Sequence, residues 1–240
     1  KQNPSLKDQQ PYKASCNKNW TLINNSARYT YGIILTAFLD QPVSDYYQFA
    51  ENFLTTSKHP KFEQPFSQLV YAPMVQLIEL LLSKDFTVYI VSGSQTFFLR
   101  AMVQEAGLPI HTSQIIGSTV AYNFAQQANG TVEFLRQNKY LLPMSDGAGK
   151  AELITGEIGR TPLFAAGNTM GDYQMLLSTT NNSLLNEANG ETAIGFGLII
   201  NHDDPVREYQ YTDAELMKNA KAQGWSIISM KNDFKVVFDK

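Results

Sequence analysis

Cysteine is almost missing: Cys16 stands alone in 240 residues. That excludes an internal disulfide framework and any metal site built from several thiolates. Long apolar runs are missing too, and none approaches the roughly 18–20 residues that a membrane-crossing helix needs. Nor does one sign of charge dominate. The 19 Lys and Arg residues against 22 Asp and Glu leave a net charge of −3. The basic residues form no stripe, so no nucleic-acid partner is expected. What is present, 43% hydrophobic and 17% charged residues, is the composition of a folded chain. Its length suits one large α/β domain, alone or with a small insert. The first residues, KQNPSLKDQQ, are polar and begin without Met, as a precursor does once its signal peptide is gone. A periplasmic or secreted location is the expectation, although an arbitrary boundary reads the same way.

Hydrophobic periodicity divides the chain. Residues 26–86 read as helical: ARYTYGIILTAFL is strongly apolar, VSDYYQFAENFL has helical spacing after Ser44, and PMVQLIELLLSKD begins with Pro73 in its first turn. The period then changes. FTVYIV at 86–91 is a short, β-branched run suited to a strand buried on both faces, and TFFLRAMVQEAG after it is a helix closed by Gly107. Runs at 115–124 and 131–135 flank Asn129-Gly130, a hairpin signal. A helix over 150–158 and a buried strand TPLFAA at 161–166 follow. YQMLLSTT is another helix, and strands at 193–200 and 226–230 complete the pattern. Alternating strands and helices predict an α/β fold with a doubly wound parallel sheet. Its core would comprise residues 1–25 and 87–240, and residues 26–86 would be an inserted helical cap. Ligands of such sheets sit at the carboxyl ends of the strands.

Three strand-end loops carry candidate chemistry. Ser92, Gly93 and Ser94 sit between a strand and a helix, where backbone N–H groups and a hydroxyl suit an oxyanion, or serve as a plain helix cap. Lys150 ends the small-residue loop Asp146-Gly147-Ala148-Gly149 and can neutralise a phosphoryl group; otherwise it is a surface lysine near a helix start. In GNTMGD, Asn168 and Asp172 offer oxygen ligands of the kind Mg²⁺ takes, or turn and cap chemistry.

Together these segments resemble the second, third and fourth motifs of the haloacid dehalogenase superfamily. VYIVSGS, DGAGK, IGRTPLFAAGNTMGDYQML, NHDDPVREYQY and GWSIISMKNDFK are more specifically similar to an exported bacterial branch related to phosphoserine and phosphorylcholine phosphatases. The resemblance implies a phosphomonoesterase using Mg²⁺ on a small phosphate ester. Ser92, Gly93, Lys150 and Thr21 would bind phosphate, and Asn168 and Asp172 would face the metal.

The family's first motif, Asp-x-Asp-x-Thr, has only one counterpart before Ser92: Asn17-Lys18-Asn19-Trp20-Thr21. Asn17 would hold the nucleophile position and contribute to the metal. Asn19 would hold the acid/base position and offer the metal its backbone carbonyl. Neutral amides do neither job well: they are poor nucleophiles, poor cation ligands and no proton shuttle. The expectation is therefore a pseudoenzyme that binds phosphate esters better than it cleaves them, with weakened or absent Mg²⁺. Three origins stay open: natural asparagines, introduced ones, or a true first motif upstream of these residues. The alternative function is a non-catalytic binding module for a phosphorylated ligand, a quaternary amine or a protein partner. Trp20, Tyr29, Tyr31, Tyr46 and Tyr47 would supply an aromatic box for the amine, although aromatics at helical spacing more often form core. His202 reads as a structural or rim residue, and Arg207, Glu208 and Tyr209 as an ion-paired scaffold.

Overall fold

The computed structural model describes residues 6–181 and 195–238. The first five residues of the polar opening segment and positions 193–194 of the expected strand lie outside the described residues. The chain opens with α1 (Tyr12–Cys16), α2 (Trp20–Asn24), α3 (Ala27–Thr36), α4 (Val43–Thr56) and α5 (Ala72–Ser83). Then come β1 (Ile90–Gln95), α6 (Thr96–Glu105), β2 (Ile115–Ser118), β3 (Val120–Gln126), β4 (Val132–Tyr140) and α7 (Ala148–Ile158). The remainder is β5 (Phe164–Gly167), α8 (Tyr173–Asn181), β6 (Phe196–Asn201), α9 (Ala214–Gln223), β7 (Ser226–Ser229) and α10 (Met230–Asp233).

Two compact units emerge. The first joins residues 1–48 to 119–141, and the second joins 49–118 to 142–240. The expected boundaries at 25 and 86 fall elsewhere, and packing gives the reason. Met74 and Leu77 of α5 lie against Leu198 and Ile200 of β6 in the second unit, so the end of the 26–86 interval is core material there.

The second unit is mixed α/β with parallel strands, as the strand–helix alternation predicts. β5, β6 and β7 form one parallel sheet in that order, and β1 and β2 form another. Strand alternation sends side chains to opposite faces, and both faces are covered. Leu198 and Ile200 of β6 meet α5 and Met230 of α10. Ile199, one residue between them, meets Ile154 of α7, Leu176 of α8 and Leu216 of α9. The pair Ile90 and Ile115 packs on Leu99 and Val103 of α6. Val91 and Ile116, the next pair along, join the cluster around Ile199. Continuous apolar strands are what a sheet covered on both faces requires.

The first unit carries a helical segment and a hairpin. β3 and β4 pair antiparallel, and Asn129-Gly130 makes the turn, with Gly130 at φ +85°. The run 115–124, expected as one strand, is split: β2 pairs in parallel with β1, and β3 leaves for the hairpin. β1 also starts later than expected, at Ile90 rather than 86, because its ladder with β2 begins at the Ile90–Ile115 pair.

One local feature bears on function. In the family resemblance the first motif ends a strand, but YKASC, the segment before Asn17, is the helix α1, entered through Pro11 and burying Ala14. Five residues with a single buried apolar position lack the continuous apolar face that a covered strand needs.

The carboxyl end of the second unit is tied down by Arg207. Its guanidinium pairs with Asp204 and donates to the carbonyls of Phe234 and Met230, both at 2.8 Å. Met230 opens the one-turn helix α10 and Phe234 caps its end, so the guanidinium takes carbonyls the short helix leaves free, where cationic donors are favoured. The Arg207 backbone N–H is the main cause holding the Asp204 carboxyl below its ordinary value; burial opposes it, and the guanidinium adds to it. A depressed folded-state pKa contributes stability above the unfolded-state value, and that stability is lost as pH falls through the folded one. Urea midpoints of the unaltered chain should therefore drop below about pH 4 more steeply than those of Asp204→Asn. Parallel curves for the two proteins would contradict this.

Candidate functional site

In the second unit, three expected site residues converge at the ends of β1 and β5. The local backbone explains how. α7 starts so tightly against the preceding loop that a Cβ on Gly149 would lie 1.9 Å from the Met144 carbonyl oxygen. Gly147, before it, has φ +55°. Only glycine allows that approach, and it turns Lys150 inward, 7% exposed. Its Nζ lies 2.5 Å from Asp172 Oδ1 and donates to the Val91 carbonyl of β1 at 3.3 Å. The other Asp172 oxygen accepts the backbone N–H groups of Asn168 (2.9 Å) and Thr169 (3.1 Å). These residues follow directly on β5. A Cβ on Gly167 would come 2.5 Å from Asp172 Cβ, so glycine is needed for the carboxylate to fold back there. Ser92 follows the Val91 carbonyl in β1, half-buried, and its Oγ accepts the Ser94 N–H at 3.3 Å. Gly93 is exposed, and β1 continues to Gln95. It is Gln95, not the serines, that caps α6 through Oε1.

A second network adjoins this one. The Asn168 side-chain amide donates to the Tyr211 hydroxyl and lies 3.3 Å from His202 Nε2. His202 Nδ1 sits 2.6 Å from Glu208 Oε2, which also accepts the Tyr71 hydroxyl at 3.1 Å. A carboxylate facing Nδ1 places the imidazole proton there and leaves Nε2 as acceptor for the amide. Both Asn168 N–H groups are thereby used, and its Oδ1 has no partner among the described residues. The His202 ring stacks on Tyr211, with centroids 4.4 Å apart. Burial, reinforced by the Glu208 charge, pushes the Tyr211 phenol to about 12 and the Tyr71 phenol higher still.

His202 is thus the structural residue its sequence context suggested, but its partner is Glu208 rather than a rim contact. The expected ion-paired scaffold is divided: Arg207 pairs with Asp204, Glu208 with His202, and Tyr209 is exposed. Tyr71 and Tyr211 were not legible as site residues. Tyr71 is 137 positions from Glu208, and no local pattern marks such a contact.

Asn17, Asn19 and Thr21 belong to the first unit. All three are exposed. Asn17 closes α1, and Asn19 caps α2 by accepting the Leu22 N–H at 3.1 Å. With YKASC helical, no strand end precedes them among the described residues. The aromatic box fares differently from its expectation. Tyr46 is buried beneath the Arg136 guanidinium, 4.0 Å from the ring centroid, so an internal cation takes the face a quaternary amine would need. Trp20 is 57% exposed.

The Mg²⁺ donors implied by the resemblance do not fit an ion as arranged. One Asp172 oxygen is held by an ammonium and the other by two N–H donors. Among the described residues, no three His, Cys, Asp or Glu side chains group as a metal site. What the arrangement can do is present a cation: an ammonium has three N–H donors, and Lys150 uses two on Asp172 and Val91.

No protein family's sequence profile matches the chain. No curated protein matches it either. Among solved structures seven chains match. One is cytosolic 5'-nucleotidase IIIB bound to cytidine, with a TM-score of 0.41 and 9% identity over 94% of this chain and 70% of that one.

Removing Lys150 leaves Asp172 as an uncompensated buried charge. Lys150→Met should cost about 3–5 kcal/mol in chemical denaturation. Adding Asp172→Asn should recover part of it, because the amide keeps an acceptor for the two N–H groups without the charge.

Proposed function

We propose that the chain is a phosphomonoesterase-type scaffold that captures a small phosphate ester at the β1 and β5 strand ends and does not cleave it. The observation that carries this reading is the third Lys150 N–H. It has no acceptor among the described residues, while the other two fix the ammonium between Val91 and Asp172. The half-buried Ser92 hydroxyl follows the Val91 carbonyl that the lysine holds, and a phosphoryl group accepts well from an ammonium and a hydroxyl.

The lack of turnover follows from the nucleophile. Asp172 is pinned by three donors, which spreads its charge and blocks attack. Asn17 and Asn19, offered by the resemblance as nucleophile and acid/base, are amides that neither attack phosphorus nor move a proton.

Calorimetry with inorganic phosphate and an aryl phosphate, beside an aryl-phosphate turnover assay with and without Mg²⁺, tests the proposal. Saturable binding without turnover is expected, and Lys150→Met should weaken it by roughly 10- to 100-fold, the loss of one charge-assisted hydrogen bond. Turnover well above background would overturn the inactive reading, and absence of binding would overturn the capture. Activity appearing in Asn17→Asp/Asn19→Asp would carry the assignment of that pair to the family's first motif.

A further inference from the structure

The side-chain amide of Asn168 is fixed end for end. Its nitrogen has two acceptors, the Tyr211 hydroxyl and His202 Nε2 at 3.3 Å. Turning the amide over would set Oδ1 against the Nε2 lone pair, because the proton of that ring sits on Nδ1, 2.6 Å from Glu208 Oε2. Glu208 is 0% and His202 5% exposed, so solvent has little access to the bonds that hold the amide. Asn168 itself is half-buried. Its Oδ1 has no partner among the described residues. Nor is it sealed from solvent, as the unpartnered Glu208 Oε1 of the same network is. The network therefore presents an acceptor, and only an acceptor, to whatever approaches.

That acceptor has donors for neighbours. The Asp172 carboxylate takes the Lys150 ammonium on Oδ1 at 2.5 Å and the Asn168 backbone N–H on Oδ2 at 2.9 Å, so the two residues meet across a single functional group. Ser92, half-buried, follows the Val91 carbonyl that the same ammonium holds at 3.3 Å. The ammonium and the hydroxyl donate; the amide oxygen can only accept. A fully deprotonated tetrahedral anion answers the two donors but sets a lone pair against Asn168 Oδ1. Hydrogen phosphate, equal to sulfate in charge and shape, carries one O–H and answers all three. A site that leaves a polar group unpaired with one ligand and paired with its analogue discriminates strongly between them.

Building on the capture at the β1 and β5 strand ends, we propose that Asn168 is the specificity-determining residue of this crevice. Through Oδ1 it selects tetrahedral oxyanions that carry their own hydrogen-bond donor, and so takes hydrogen phosphate before sulfate. A phosphate ester meets the same requirement with a hydroxyl or an amine on its organic group.

Calorimetric titration of the full chain with inorganic phosphate and with sulfate, in mildly alkaline buffer at constant ionic strength, tests this, since both ions are then dianions and only phosphate keeps a proton. Phosphate should bind at least about tenfold more tightly, the difference expected when a hydrogen bond to a desolvated polar group goes unmade. Asn168→Ala keeps the backbone N–H that Asp172 accepts and removes the oxygen. It should weaken phosphate by about tenfold, leave sulfate as it was, and bring the two ions together, whereas a merely structural asparagine would weaken both alike. Equal binding of the two ions by the unaltered chain overturns the selectivity and leaves the capture standing; binding of neither overturns the capture and the selectivity with it. A preference for phosphate that survives Asn168→Ala overturns the assignment to Asn168. Should that variant fail to fold, the comparison on the unaltered chain decides alone.

Discussion

The ion pair of Lys150 with Asp172 is the contact around which the second unit is arranged. Val91 belongs to one parallel sheet and Asn168 directly follows a strand of the other, and these sheets share no backbone ladder among the described residues. Lys150 and Asp172 link them instead, through hydrogen bonds in series: Val91 carbonyl, ammonium, carboxylate, Asn168 N–H. Both side chains are more than nine-tenths buried, so each would be costly alone. A pair of this kind adds little net stability against an apolar replacement, yet losing one member is expensive. Specific geometry, rather than added stability, is what such a pair contributes.

From that geometry follows the character of the site. A lysine tied on two sides and open on a third is a fixed cation. An aspartate holding three donors is a poor base and a poor metal ligand. In the proposed function, the same two residues serve capture rather than hydrolysis. In the adjoining network, His202, held by Glu208, and Tyr211 take both amide N–H groups of Asn168 and leave its oxygen as an acceptor. A fixed amide oxygen beside a fixed ammonium suits a ligand that both donates and accepts hydrogen bonds.

The first unit obeys the opposite rule. There the buried cation has no carboxylate, and rings stand where a counter-charge would be expected. Tyr46, which sequence spacing offered as one wall of a box for an external amine, already covers the guanidinium of Arg136. The cation on Tyr46 is thus an internal one, not the external amine that the spacing of the aromatics suggested.

Composition and period alone determined a good deal. The parallel α/β class, the hairpin at Asn129-Gly130, the helix carrying Lys150 and the glycine-rich loop before Asp172 are local properties, set by alternation, turn chemistry and the space a side chain needs. Tertiary structure decided the rest. YKASC is too short and too weakly patterned to choose between strand and helix by itself, so its packing chose, and Asn17 and Asn19 became helix caps. The contacts of Tyr71 with Glu208 and of Arg136 with Tyr46 join residues 137 and 90 positions apart. Burial and pairing at such separations arise only when the chain has folded, which is why neither the histidine network nor the unpaired guanidinium left a mark in the linear order of residues.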